Sequence, residues 1–125
     1  MREAISTQDG PKAIGPYSQA IKANGFVFVS GQVGIDPATQ QVITGDVAAQ
    51  TDRIMKNLEG ILKAAGSGLD KVVRSTVFLK NIGDFGAMNE VYGKYFSSAP
   101  PARSTVEVAR LPKDVAVEID VIALA

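Results

Sequence analysis

Pro101-Ala102-Arg103-Ser104-Thr105-Val106-Glu107-Val108-Ala109-Arg110-Leu111-Pro112-Lys113-Asp114-Val115-Ala116-Val117-Glu118-Ile119 is the stretch on which the reading of this chain turns. Two β-type runs, Arg103 to Val108 and Val115 to Ala123, flank a Leu-Pro-Lys-Asp turn. A period of two puts Arg103, Thr105 and Glu107 on one strand face and Ser104, Val106 and Val108 on the other. In the second run Val115, Val117, Ile119 and Val121 share a face, and Ala116, Glu118, Asp120 and Ile122 share the opposite one. If the two runs pair antiparallel, Arg103 and Glu118 lie on the same side of a sheet. A guanidinium and a carboxylate placed together there are an ion pair of small energetic value or a site.

Upstream, Ala4-Ile5-Ser6 reads as a short opening strand, broken by Asp9-Gly10-Pro11. Ala13 to Ser18 is a loop, because Gly15-Pro16 is a turn signal and the residue before proline disfavours helix. Gln19 to Ala23 and Phe26 to Val29 read as strands joined by an Asn24-Gly25 hairpin turn. The run Phe26-Val27-Phe28-Val29 suggests a strand apolar on both faces. It leads straight into Ser30-Gly31-Gln32. A loop from Asp36 to Gly45 precedes a helix capped by Asp46. Its stripe is Val47, Thr51, Ile54, Leu58, Ile61, Leu62 and Ala65, and Gly66 ends it. Lys71 to Lys80 is a central strand. Strand, helix and strand in this order predict parallel strands joined by a crossover. A second helix, with Asp84 as its expected cap, carries Phe85, Met88, Tyr92, Tyr95 and Phe96, and Asn89 lies beside that stripe. Pro100-Pro101 forbids its continuation. The predicted order is β-β-β-α-β-α-β-β, an α+β domain over residues 1–125 with a mixed sheet and two helices on one face.

The 125 residues fit one domain. Thirteen basic side chains balance thirteen acidic ones, so no general affinity for nucleic acid or anionic membranes is expected. No apolar run approaches the roughly 20 residues of a membrane helix, and the N-terminus lacks the apolar core of a secretory signal; a cytoplasmic address is expected. The chain has no Cys and no His. Thiol nucleophiles, Cys or His metal sites and a Ser-His-Asp triad are therefore excluded. Carboxylates, Arg, Lys, Tyr, hydroxyls, backbone groups and water remain for any catalysis. The predicted sheet is apolar on both faces, yet two helices cover only one. A second copy of the chain is the expected cover, so a symmetric homo-oligomer is predicted.

The segment Pro101 to Leu111, followed by Val117-Glu118-Ile119, resembles the signature of the RidA/YjgF family. Ile14-Gly15-Pro16-Tyr17-Ser18-Gln19-Ala20, Ser30-Gly31-Gln32 and Asn89-Glu90-Val91-Tyr92 match further motifs of that family in order, so the resemblance covers essentially the whole chain. It implies a chorismate-mutase-like fold and a homotrimer around a central barrel, with helices outside and ligand clefts between subunits. It implies hydrolysis of reactive enamines and imines, notably 2-aminoacrylate and its imine tautomer, to 2-oxo acids and ammonia, without metal or organic cofactor. Carried over by motif, Arg103 binds the substrate carboxylate and Glu118 holds the attacking water. Backbone groups of Gly31 and Thr105 fix the ligand, and Tyr17 and Asn89 line the cleft. Ser30 is a further candidate contact. Each has a structural alternative: Tyr17 as a loop anchor, Asn89 as a surface or capping residue, Ser30 as a partner for strand-end backbone. Many relatives carry Cys where this chain has Thr105, which leaves only a backbone role intact there.

Two other functions compete with the deaminase. One is an oligomeric protein that binds small carboxylates in the same cleft without turnover. The other is a ribonuclease or translation inhibitor, which the missing His, the zero net charge and the lack of clustered stacking aromatics disfavour.

Overall fold

The computed structural model describes all residues, 1–125. Strands β1 (Arg2–Ile5), β2 (Ala20–Ala23) and β3 (Phe26–Gln32) open the chain. Asn24 and Gly25 both adopt positive φ, 54° and 85°. They make the two-residue turn whose twist matches the flanking strands. A small hairpin, β4 (Ile35–Asp36) and β5 (Gln41–Val42), occupies the segment expected to be a plain loop. Helix α1 (Val47–Ala64) begins where Asp46 accepts a hydrogen bond from the Ala49 amide. It ends with Gly66 at φ 80°, where the Ser67 and Gly66 amides donate to the carbonyls of Leu62 and Lys63.

Strand β6 (Val72–Leu79) follows, then α2 (Phe85–Gly93), β7 (Ala102–Glu107) and β8 (Val117–Leu124). Asp84 stands at the N-cap of α2 but makes no side-chain cap bond. Asn81 instead caps the short 3-10 turn before it, accepting from the Gly83 amide. Helix α2 stops at Gly93, so Tyr95 and Phe96 pack from the segment beyond it.

The main sheet has the order β1-β2-β3-β8-β6-β7. Strands β7 and β8 therefore do not pair, which corrects the expected hairpin: β6 is inserted between them, parallel to β7 and antiparallel to β8. The physical reason lies in the connection. The helix between β6 and β7 returns the chain parallel to β6, and a parallel partner needs a crossover rather than a tight turn. The segment Leu111–Val115 then carries the chain to the other side of β6. It passes through Lys113 and Asp114 at φ 57° and 56°.

The core lies between the helices and one sheet face. Val27, Ile54, Leu58, Ile61, Leu62, Val77, Leu79, Met88, Val117 and Ile119 are fully buried there. The other face has no cover within the chain. Phe26, Phe28, Val106 and Leu124 are about two-fifths exposed, at 37%, 44%, 42% and 46%. Register places Phe28 beside Ile122 and Phe26 beside Leu124 on this open face. No helix is long and apolar enough to cross a membrane.

Candidate active site

Cross-strand partners share a sheet face, so register fixes where each candidate residue points. Arg103 on β7 is level with Ser75 on β6, which is level with Val121 on β8; Ser75 and Val121 are buried toward the helices. Glu118 is level with Phe78, which is level with Val106 on β7. These three belong to the open face. Arg103 and Glu118 thus lie on opposite faces of one sheet, against the expectation drawn from an antiparallel pairing of their two runs. Neither takes part in an ion pair within the chain.

Arg103 sits at the sheet border, because β7 is an edge strand. Its guanidinium carbon lies 4.8 Å from the ring centroid of Tyr92 and 5.5 Å from that of Phe85, both on α2. Contacts of this kind contribute about 0.5–2 kcal/mol, depending on desolvation. Tyr92 is itself fixed: its hydroxyl is hydrogen-bonded to that of buried Ser75 at 2.6 Å. The rings brace the flat face of the guanidinium and leave its N–H edge without a partner in the chain. An open cleft of ≈ 510 Å³ adjoins it, lined by Asn89, Tyr92, Phe96, Pro100, Pro101 and Arg103. Thr105 shares this face through its partner Val77, but its hydroxyl is buried and unpartnered, out of reach of a ligand in this cleft.

Glu118 belongs to a second group. A bulge between Val29 and Gln32 on β3 adds a residue opposite β8 and turns Gly31 onto Glu118. A Cβ at Gly31 would stand 2.9 Å from the Glu118 carboxyl carbon, so only glycine leaves the carboxyl its place. Burial pushes the Glu118 pKa up, and the neighbouring Asp120 carboxylate adds to the rise. Asp120 is itself raised by burial, opposed by its cross-strand neighbour Thr76 and by the Arg74 charge. Gly31 and Tyr17 line one small cleft of ≈ 100 Å³ with Ile14, Val33, Gln40 and Lys113. Tyr17 is half exposed, and its phenol oxygen accepts from the Ile14 amide, so it anchors its loop while facing this cleft. The Ser30 hydroxyl donates to the Ser18 carbonyl at 2.6 Å, which is the strand-end role.

The candidates therefore fall into two half-sites. Arg103 and Asn89 offer a rigid, unpartnered anion donor. Glu118, Gly31 and Tyr17 offer a carboxyl with elevated proton affinity beside a small, partly apolar cleft.

Residues 7–125 match the profile of a family described as Endoribonuclease L-PSP. A RutC family protein of Pyrococcus horikoshii is 53% identical over 98% of each chain. The chloroplastic Reactive Intermediate Deaminase A of Arabidopsis thaliana is 47% identical over 98% of this chain and 65% of its own length. The crystal structure of Escherichia coli TdcF with bound serine superposes with a TM-score of 0.94 at 41% identity, covering 98% of each chain.

The chain belongs to the RidA/YjgF family.

The sheet and two-helix layer described above is the architecture of that family, as the motifs at Arg103 and Glu118 implied. Sequence reasoning missed two features of the site. Phe85 and Tyr92 read as core stripe, yet they also cradle Arg103; their seven-residue spacing, two helical turns on one face, carried the signal. Asp120 was placed on the face of Glu118 by alternation, but its effect on the Glu118 proton needed the burial of both.

Proposed function

We propose that this protein is an enamine/imine deaminase. It hydrolyses 2-imino acids such as 2-iminopropanoate and 2-iminobutanoate, the tautomers of 2-aminoacrylate-type enamines, to 2-oxo acids and ammonia. The reaction takes place in clefts between the subunits of a homotrimer. One observation carries the reading: two complementary groups, Arg103 and Glu118, stand unpartnered on opposite faces of the same sheet. No movement of side chains within one chain unites them. A second copy can, because Arg103 lies on the edge strand and Glu118 on the face that has no cover. The half-exposed Phe26, Phe28, Val106 and Leu124 on that face support an association that buries them.

In such a cleft Arg103 binds the substrate carboxylate through two parallel N–H···O bonds. The carboxylate lies next to the imine carbon, so this one clamp places the electrophile. Ionised Glu118 accepts a hydrogen bond from a water and directs its oxygen at that carbon. As the C–O bond forms, the water proton passes to Glu118 and the C=N electron pair to nitrogen, which takes that proton from Glu118. In the resulting carbinolamine Glu118 removes the hydroxyl proton and delivers it to nitrogen; the oxygen electrons re-form the carbonyl as the C–N bond breaks, releasing ammonia and the 2-oxo acid. A carboxyl with raised proton affinity suits this exchange better than an ordinary one. The imine is intrinsically reactive, so orientation and modest proton transfer suffice. The endoribonuclease reading attached to the family profile finds less support in this chain, which offers neither His nor a basic excess.

The test is a coupled assay. An amino-acid oxidase or a dehydratase generates the imine, and 2-oxo acid release is followed with and without this protein. Acceleration in proportion to protein supports the proposal. Tight binding of 2-oxo acids with no acceleration would replace it by carboxylate binding without turnover.

A further inference from the structure

The segment that carries Tyr17 is attached in an unusual way. Within residues 6–18 the one backbone–backbone hydrogen bond runs from the Tyr17 amide to the Gly15 carbonyl, and none ties the segment to the rest of the chain. Side chains hold it instead. Gln19, only 4% exposed, accepts from the Thr7 amide at 2.7 Å. Its amide nitrogen lies 3.0, 3.2 and 2.7 Å from the carbonyls of Thr7, Gly10 and Pro11. Gln40, on the β4–β5 hairpin connection, accepts from the Lys12 amide at 3.0 Å while donating to the Pro37 carbonyl at 2.6 Å. Ser30 holds the far end at Ser18. Between these anchors Lys12–Tyr17 forms an exposed arch, with Ile14 at 74% and Tyr17 at 50% exposure.

With no backbone bond tying the segment to the sheet, one satisfied buried amide takes over that work, so the position of the Gln19 side chain decides where the segment lies. We propose that Gln19, assisted by Gln40, is a positioning residue: it clamps the arch so that Tyr17 stands over the cleft beside Gly31 and Glu118. This rests on the deaminase reading of that cleft, and it assigns to two side-chain amides in the cleft wall the control of how tightly substrate is held. The Gln19 amide is spent on the carbonyls of Thr7, Gly10 and Pro11, so it acts through Tyr17 rather than on the ligand.

Gln19→Glu keeps the volume and removes both donors; Gln40→Ala removes only the peripheral tie and serves if the first variant does not fold. Two readouts separate the clamp from a merely structural glutamine. Hydrogen exchange is expected to rise at least tenfold at the Thr7 and Lys12 amides while β3, β6 and β8 keep parental protection. In the deaminase assay KM is expected to rise roughly tenfold with kcat within about twofold, an effect confined to binding. In a Tyr17→Ala background the same substitutions are expected to change KM no further, because residues acting through one another are non-additive. Unchanged exchange in the segment overturns the clamp. Parental KM, or effects that simply add to those of Tyr17→Ala, overturn its action through Tyr17. If the parent chain hydrolyses no imine, the functional reading fails, while the exchange result still decides whether the clamp exists.

Discussion

Gly31→Ala probes the Glu118 half-site with a single methyl group. The backbone at Gly31 is not in the left-handed region, so alanine adds no conformational strain there. Its cost is local: the new Cβ would stand 2.9 Å from the Glu118 carboxyl carbon and 3.3 Å from its Cγ, and closer still to one carboxyl oxygen. Ordinary contact begins near 3.4 Å, so the carboxyl carbon must retreat by about 0.5 Å and the oxygen by roughly 1 Å. Glu118 can do this by rotating off its preferred rotamer, at a cost of about 0.5–1.5 kcal/mol. That is small against the stability of a domain, so the melting temperature should fall by only a few degrees. The chemical cost is larger, because a catalytic group misplaced by about 1 Å loses up to roughly 100-fold in rate. We expect kcat/KM in the imine assay to fall by about 10- to 100-fold, or about 1.4–2.7 kcal/mol of transition-state stabilisation. Binding of 2-oxo acids through Arg103 should weaken far less. A Gly31→Ala protein that turns over imines at the parental rate would refute the placement of Glu118 at the reacting carbon.

Two further outcomes follow from the site. Arg103→Lys keeps the charge but replaces a flat two-pronged donor by a point charge; with one charge-assisted bond lost, worth about 1.5–3 kcal/mol, the affinity for 2-oxo acids measured by calorimetry should drop roughly 10- to 100-fold. For pH, Glu118 must be ionised to accept from water, and burial with help from Asp120 raises its pKa. Activity should therefore fall as pH drops through a midpoint above the ordinary carboxylate range. In pH–rate profiles Asp120→Asn should shift that limb to lower pH, and Glu118→Gln should remove it along with most of the turnover.

Much of this was written in the sequence, and the exceptions have physical causes. The helix from Val47 was legible because its stripe, Asp46 cap and Gly66 terminus agree with one another. The hairpin at Asn24-Gly25 was legible because few residue pairs tolerate two positive φ values in succession. Alternation correctly sorted the residues of β8 into two faces, with Val117, Ile119 and Val121 buried on one and Glu118 and Asp120 on the other. It could not say which strand lies next to which. Strand β6 lies between β7 and β8; a strand–helix–strand order announces a crossover, but nothing local says which third strand pairs on the far side. The error about Arg103 and Glu118 came from that alone, since each was assigned correctly within its own strand. The unpartnered state of both groups and the bulge at Gly31 depend on segments far apart in the chain, so spacing carried no trace of them.

In the proposed cleft Arg103 of one copy meets Glu118 of another. Arg103→Ala and Glu118→Gln chains, each inactive alone, can be denatured together in equal amounts and refolded as a mixture. In a cyclic assembly each cleft then draws its Arg103 from one chain and its Glu118 from a neighbour. Random mixing restores both in about one cleft in four, so roughly a quarter of parental deaminase activity should return. A mixture as inactive as its two components, with mixed assemblies confirmed by native mass spectrometry, would show that the two residues do not meet across subunits.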